Sequence, residues 1–112
     1  MAESHDNVIE LEDFRVKDSK IFTGRDRGKS VRERSKIDEL ITQFEKIILV
    51  IPDNIYSINP SFLEEFLVNV VEKLGKEGFY KTFEIKNKGT YGFDRRLHEA
   101  VDSILRTRTG LD

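Results

Sequence analysis

Apolar residues form one continuous block near the middle of the chain. Residues Ile47–Ile51 are all Ile, Leu or Val, a pattern typical of a strand that is covered on both faces. We therefore predict that this strand lies in the centre of its sheet. After a polar turn, Asn59 offers an N-cap oxygen and Pro60 presets the φ angle of a first helical residue. This sequence places Ser61 in the first turn of a helix.

Three segments have the periodicity of amphipathic helices. Ser30 and Glu33 have the spacing of a capping box, which predicts a helix that ends at residue 43 or 44. A second helix is predicted over Pro60–Leu74, with Gly75 as a left-handed C-cap, and a third over Asp94–Arg106. The predicted buried stripes of the three helices are Ile37, Leu40, Ile41 and Phe44; Phe62, Leu63, Phe66, Leu67, Val68, Val70, Val71 and Leu74; and Leu97, Ala100, Val101, Ile104 and Leu105.

Two further stretches predict strands. Val8–Val16 reads as an imperfect strand, which a turn over residues 17–20 returns into a short hairpin partner at Ile21 and Phe22. Phe79–Ile85 alternates inward and outward positions, as in a half-buried strand. Strands that alternate with helices predict an α/β fold with right-handed crossovers. We expect a small layered domain with a mostly parallel or mixed sheet of about four strands and three main helices.

Length and composition limit the class of protein. The chain has 112 residues, no cysteine and a formal net charge of −2, which indicates one domain without disulfides or zinc-thiolate sites. The first residues are acidic and no window is apolar enough to span a bilayer, so we expect a cytoplasmic protein. We predict a disordered tail over residues 1–6, a single domain over 7–106 and a C-terminal tail over 107–112.

Positive charge is concentrated between Arg15 and Lys36, where nine Lys or Arg residues face three acids. We interpret Gly24–Gly28 as a loop whose backbone and neighbouring cations can hold phosphate oxygens. The spacing differs from a P-loop. The segment therefore predicts an anion, nucleotide or nucleic-acid contact, and the alternative is a solvated basic surface. The candidate anion-binding residues are Arg25, Arg27, Lys29, Arg32 and Arg34.

Residues for catalysis are sparse. His5 falls in the predicted tail, and His98 on the last helix has no second histidine at ligand spacing. Surface histidine is the simpler interpretation of both. We therefore predict no enzyme activity, no metal site and no cofactor.

The order of elements and three motifs resemble the STAS-like domain family, which is related to bacterial anti-sigma-factor antagonists. The resemblance spans roughly Val8 to Leu105. It is carried by the Gly24–Gly28 segment, the strand Ile47–Ile51 and the run Ser61-Phe62-Leu63-Glu64-Glu65 that opens the second helix. It implies a protein-binding regulatory module whose partner is a GHKL-type ATPase or a histidine-kinase-like protein. In such relatives the partner phosphorylates a serine at the start of this helix, and here that position falls on Ser61.

Two interpretations of Ser61 stay open, phosphorylation by a partner and simple capping of backbone donors. Ser57 is the second candidate for phosphorylation. An aromatic residue beside a rigid helix start can anchor a partner, so we predict a signalling module that binds its partner at this junction. The predicted partner-binding residues are Asp53, Tyr56, Ile58, Asn59, Glu64 and Glu65. The alternative function is anion or nucleic-acid binding through the basic segment.

Overall fold

The predicted α/β class is confirmed by a computed structural model, which describes residues 7–109. Over these residues the chain forms five strands, one 3-10 helix and four α-helices. In chain order they are β1 (Val8–Glu10), the 3-10 helix Leu11–Phe14, β2 (Ile21–Phe22), α1 (Arg25–Ser35), α2 (Ile37–Gln43), β3 (Ile47–Ile51), β4 (Ser57–Ile58), α3 (Pro60–Thr82), β5 (Phe83–Asn87) and α4 (Phe93–Thr109).

The main sheet is parallel and has the order β1-β3-β5. The predicted central position of β3 is therefore confirmed. Alternate residues of β3, beginning at Ile47, are fully buried against the helices. Val50 points to the opposite face and is only 3% exposed. On that face it lies between Glu10 and Lys86, whereas Ile48 on the same face is only half-buried. The predicted covering of both faces is therefore complete on one face and partial on the other.

The predicted hairpin is wrong. β1 ends at Glu10 and the chain enters the 3-10 helix, which buries Leu11. β2 pairs instead with β4, and the pairing is parallel. On the other edge of β2, the Ser19 hydroxyl donates to the Ile21 carbonyl oxygen at 3.1 Å and accepts from the Ile21 N–H at 3.2 Å. These contacts satisfy edge groups that a hairpin partner would otherwise have paired.

The first helix begins earlier than predicted. Gly24 is its N-cap, so the proposed loop Gly24–Gly28 is the first turn of α1, and Ser30 lies inside the helix rather than at its start. The helix also breaks at Lys36, which has a left-handed φ of 60° and separates α1 from α2. A buried contact of Gly28 with α3 explains why a glycine lies inside this helix.

The second predicted helix is interrupted at Gly75, as predicted, because this residue has a non-helical φ of 76° and ψ of 173°. The sequence did not predict that a further helical stretch follows Gly75 and extends α3 to Thr82. The predicted strand Phe79–Ile85 is therefore wrong in its first half, and β5 begins at Phe83. Phe79 is fully buried and stacks on Phe83 with ring centroids 4.8 Å apart. Burial of this ring from a helix overrides the local alternation.

Helix α3 is the centre of the helical layer. It packs against α1 on one side and α4 on the other, so these helices lie together on one face of the main sheet. The core between the layers contains side chains from every helix, including Val31, Ile37, Phe66 and Leu97. In the predicted stripe of α2, Leu40 and Ile41 are only partly buried.

The predicted tails fall partly on residues that are not described. Residues 1–6, which include His5, and residues 110–112 lie outside the described range. The predicted end of the last helix at Arg106 is too early, because α4 continues to Thr109. Within residues 7–109, no helix combines the length and the apolar character needed to cross a lipid bilayer.

Candidate functional site

The start of α3 is fixed by the predicted N-cap. The Asn59 Oδ1 atom accepts from the backbone N–H of Ser61 at 2.9 Å and from the Ser61 hydroxyl at 2.7 Å. Pro60 occupies the first helical position, where its missing N–H costs no hydrogen bond. Ser61 is half-buried and its hydroxyl already donates to the cap. Asn59 is therefore the residue that caps the helix. The Ser61 hydroxyl donates to this cap and accepts from no backbone N–H among the described residues, so the capping interpretation of Ser61 is wrong.

The prediction that Ile58 is an exposed contact residue is wrong. Ile58 is fully buried, because β4 pairs with β2 and directs this side chain into the core beside the Phe22 position. Its backbone is held as well. The Tyr91 hydroxyl accepts from the Ile58 N–H at 3.1 Å and lies 3.4 Å from the Ile58 carbonyl oxygen, to which it donates.

Tyr56 is the most exposed large hydrophobic residue described, at 79%. Its backbone N–H donates to the Lys20 carbonyl oxygen at 2.8 Å, so an ordered backbone presents the ring to solvent. We call the accessible positions of segment 53–61 the junction surface. Its members are the exposed residues Asp53, Asn54, Tyr56 and Pro60 and the half-buried residues Ile55, Ser57, Asn59 and Ser61.

Two of the predicted partner-binding acids, Glu64 and Glu65, neutralise two of the predicted anion-binding arginines. Arg25 of α1 lies 3.4 Å from the Glu64 carboxylate and 3.7 Å from the Glu65 carboxylate. Arg32 donates to the Glu65 carbonyl oxygen and lies 3.8 Å from the Glu65 carboxylate. The side chain of Arg32 is only 13% exposed. These groups therefore join α1 to α3, and they leave Glu64 and Glu65 only partly accessible.

The other three predicted anion-binding residues do not converge with them on one site. The Arg34 guanidinium lies over the Phe14 ring, 5.1 Å from its centroid, a cation–π arrangement. Lys29 is exposed and Arg27 is half-buried. Neither has an ion pair within residues 7–109. The basic segment is thus divided between helix packing and solvent.

His98 makes a specific contact with Tyr80 of α3. The Tyr80 hydroxyl lies 2.8 Å from His98 Nδ1, and the ring centroids are 4.9 Å apart. Burial raises the pKa of Tyr80 to about 12, and the negative charges of Asp102 and Asp94 add to the effect. Through this contact with Tyr80, His98 links α4 to α3.

The described part of the chain contains no group of three or more His, Cys, Asp or Glu residues able to hold a metal ion.

One feature of the basic region was missed by sequence reasoning. Arg15 donates through Nη2 to the Asp53 carbonyl oxygen at 2.7 Å and pairs with Glu12 at 3.2 Å. It thereby ties the segment after β1 to the junction surface. A cavity of about 420 Å³ lies beside it, lined by Glu12, Arg15, Lys17, Asp18, Lys20 and Asn54. The high density of Lys and Arg that begins at Arg15 was a sequence signal for a basic site here. No local sequence pattern indicated that Arg15 would contact Asp53.

No protein-family model matches the chain, and neither a curated protein nor a solved structure matches it. The resemblance to the STAS-like family accordingly rests on the quoted motifs. In the fold, two of these motifs meet: α1 begins with Gly24–Gly28 and packs against the first turns of α3, where Arg25 pairs with Glu64. These residues are therefore parts of one packed unit.

Proposed function

We propose that this chain is a non-catalytic, cytoplasmic STAS-like domain that regulates a partner protein by binding it through the junction surface. The observation that supports this proposal is the 79% exposure of Tyr56 on an ordered backbone. Tyrosine is enriched at interface hot spots because a large ring buries much area on binding and has few rotamers to lose. The partner is a GHKL-type ATPase or a histidine-kinase-like protein, as the resemblance implies.

Phosphorylation of Ser61 is proposed as the regulatory event. It would remove the hydroxyl proton that now goes to Asn59 and place a phosphate near unpaired N–H groups of the first turn. Glu64 and Glu65 follow three and four residues later on the same side of the helix, so the phosphate would meet like charges. Arg25, which already pairs with both acids, offsets only part of this repulsion. We expect the modified junction surface to release its partner.

Affinity purification from the native host tests the binding surface, followed by direct binding measurements with the purified ATPase or kinase-like protein that is recovered. Tyr56→Ala is expected to reduce the affinity for this protein at least tenfold, as truncation of an interface aromatic does. Lys29→Ala is the matched control, because Lys29 is also exposed but lies outside the junction surface. Equal affinities of wild type and Tyr56→Ala would contradict the proposed surface.

The phosphorylation step is tested with the same purified partner. Incubation with ATP should label wild type and leave Ser61→Ala unlabelled, and Ser61→Glu should bind the partner more weakly than Ser61→Ala. If Ser61→Glu and Ser61→Ala bind equally and wild type is not labelled, Ser61 has only its structural contact with the Asn59 side chain. The binding module would stand in that case, because the Tyr56 result does not depend on the modification.

A further inference from the structure

The cavity beside Arg15 is rich in unpaired positive charge. Lys17 and Lys20 line it, and neither has an ion pair within the described residues. Asp18 and Glu12 also line it, but the Glu12 carboxylate is already paired with Arg15 at 3.2 Å. The cavity therefore contains more free cationic donors than free acidic acceptors. This surplus favours a negatively charged ligand.

Arg15 adds a fixed positive charge to the wall of the cavity. Its side chain is only 13% exposed, and its Nη2 atom donates to the Asp53 carbonyl oxygen and pairs with the Glu12 carboxylate. These two contacts hold the guanidinium in place beside Lys17 and Lys20, which also line the cavity.

The position of the cavity in the fold agrees with a binding site. Glu12 and Arg15 follow the carboxyl end of β1, and Asn54 follows the carboxyl end of β3. β1 and β3 are parallel neighbours, so the cavity lies at the carboxyl edge of the sheet. Loops at the ends of strands commonly carry binding residues, because the sheet holds them in a fixed position. The volume of about 420 Å³ is within the range of small-molecule sites.

We propose that this cavity binds a small phosphorylated molecule, with the phosphate held by Arg15, Lys17 and Lys20. A phosphate has several strong acceptor oxygens and up to two negative charges near neutral pH, which match a guanidinium and two ammonium groups. This site differs from the basic segment 25–34, whose arginines Arg25 and Arg32 already pair with α3. It does not depend on the proposed protein partner.

Titration of ¹⁵N-labelled protein with inorganic phosphate, followed by amide chemical shifts, tests the site. We expect saturable shifts confined to residues 12–20 and Asn54. The double variant Lys17→Ala/Lys20→Ala should weaken phosphate binding about tenfold or more, because two charge-assisted contacts are lost. Lys73→Ala/Lys86→Ala is the control, since it removes two exposed lysines elsewhere and should leave the affinity unchanged.

A parallel titration with adenosine monophosphate distinguishes a phosphorylated organic ligand from free inorganic phosphate. If adenosine monophosphate binds more tightly than inorganic phosphate, the rest of the cavity contacts the organic part of a ligand. If the two bind equally, the site recognises a free oxyanion. The proposal is overturned if sodium chloride at equal ionic strength produces the same shifts. It is also overturned if the Lys17→Ala/Lys20→Ala variant binds phosphate as wild type does.

Discussion

Gly28 of α1 lies directly against the main-chain carbonyl oxygen of Phe62 in α3. A Cβ atom placed on Gly28 would stand 2.5 Å from this oxygen and 2.9 Å from the Glu65 Cβ atom. The two helices therefore cross at a distance that only glycine allows. We expect Gly28→Ala to lower the free energy of unfolding by about 1–3 kcal/mol, because the clash outweighs the better helix propensity of alanine.

Chemical denaturation of purified Gly28→Ala measures this loss. Lys29→Ala is the control, because Lys29 is the next residue of α1 and its side chain is exposed. The difference between the two variants isolates the close approach of the helices from the general effect of placing an alanine in α1. If Gly28→Ala is as stable as Lys29→Ala, the helices separate at little cost and the crossing is looser than the structure shows.

The elements that could be predicted from sequence are those set by local chemistry. The apolar composition of β3 and the Asn59-Pro60 cap determine their structures through groups a few residues apart. The hairpin failed because β2 pairs with β4, which lies far away in the sequence. The start of α1 was predicted too late in the sequence, also because a contact with a distant segment was not visible in the local pattern. Glycine is a poor helix former, and only its contact with α3 explains its position.

In the candidate site, too, the features set by neighbouring residues could be predicted and those set by distant contacts could not. The exposure of Tyr56 and the N-cap contact of Ser61 follow from the turn that precedes α3. Ile58 was wrongly placed at the surface, because its burial depends on the pairing of β4. The ion pair of Arg25 with Glu64 joins residues 39 positions apart, and each was assigned a separate ligand. Charges that neutralise each other across helices have no local pattern in the sequence.

Arg32 should contribute more to stability than the other cations of its segment. It is mostly buried and donates to the backbone of Glu65, and charged hydrogen bonds of this kind contribute about 1.5–3 kcal/mol. We expect Arg32→Ala to lower the free energy of unfolding by about that amount. Lys29→Ala, an exposed control on the same helix, should stay within about 0.5 kcal/mol of wild type. Equal effects in urea denaturation would show that Arg32 is only a solvated charge.

Gly75 allows the kink within α3. Its φ of 76° and ψ of 173° lie in a region that is essentially restricted to glycine. Gly75→Ala should therefore lower the free energy of unfolding by about 1–3 kcal/mol, measured by thermal or urea denaturation. The neighbouring Lys76→Ala is the control, because it removes only an exposed ion pair with Asp102 at 3.1 Å, worth about 0–1 kcal/mol. A Gly75→Ala variant no less stable than Lys76→Ala would contradict the strained geometry.

The raised pKa of Tyr80 predicts that the protein loses stability at alkaline pH. Burial, together with Asp102 and Asp94, raises its pKa from the ordinary 10.0 to about 12, so folding favours the protonated phenol. The stabilising contribution of this shift is complete below pH 10 and is lost as the pH rises through 12. The difference in ultraviolet absorbance between wild type and Tyr80→Phe should show a phenol that ionises near pH 12. The stability advantage of wild type over Tyr80→Phe should decline over the same interval. A Tyr80 phenol that ionises near pH 10 would show that burial and the charges of Asp102 and Asp94 do not disfavour the phenolate.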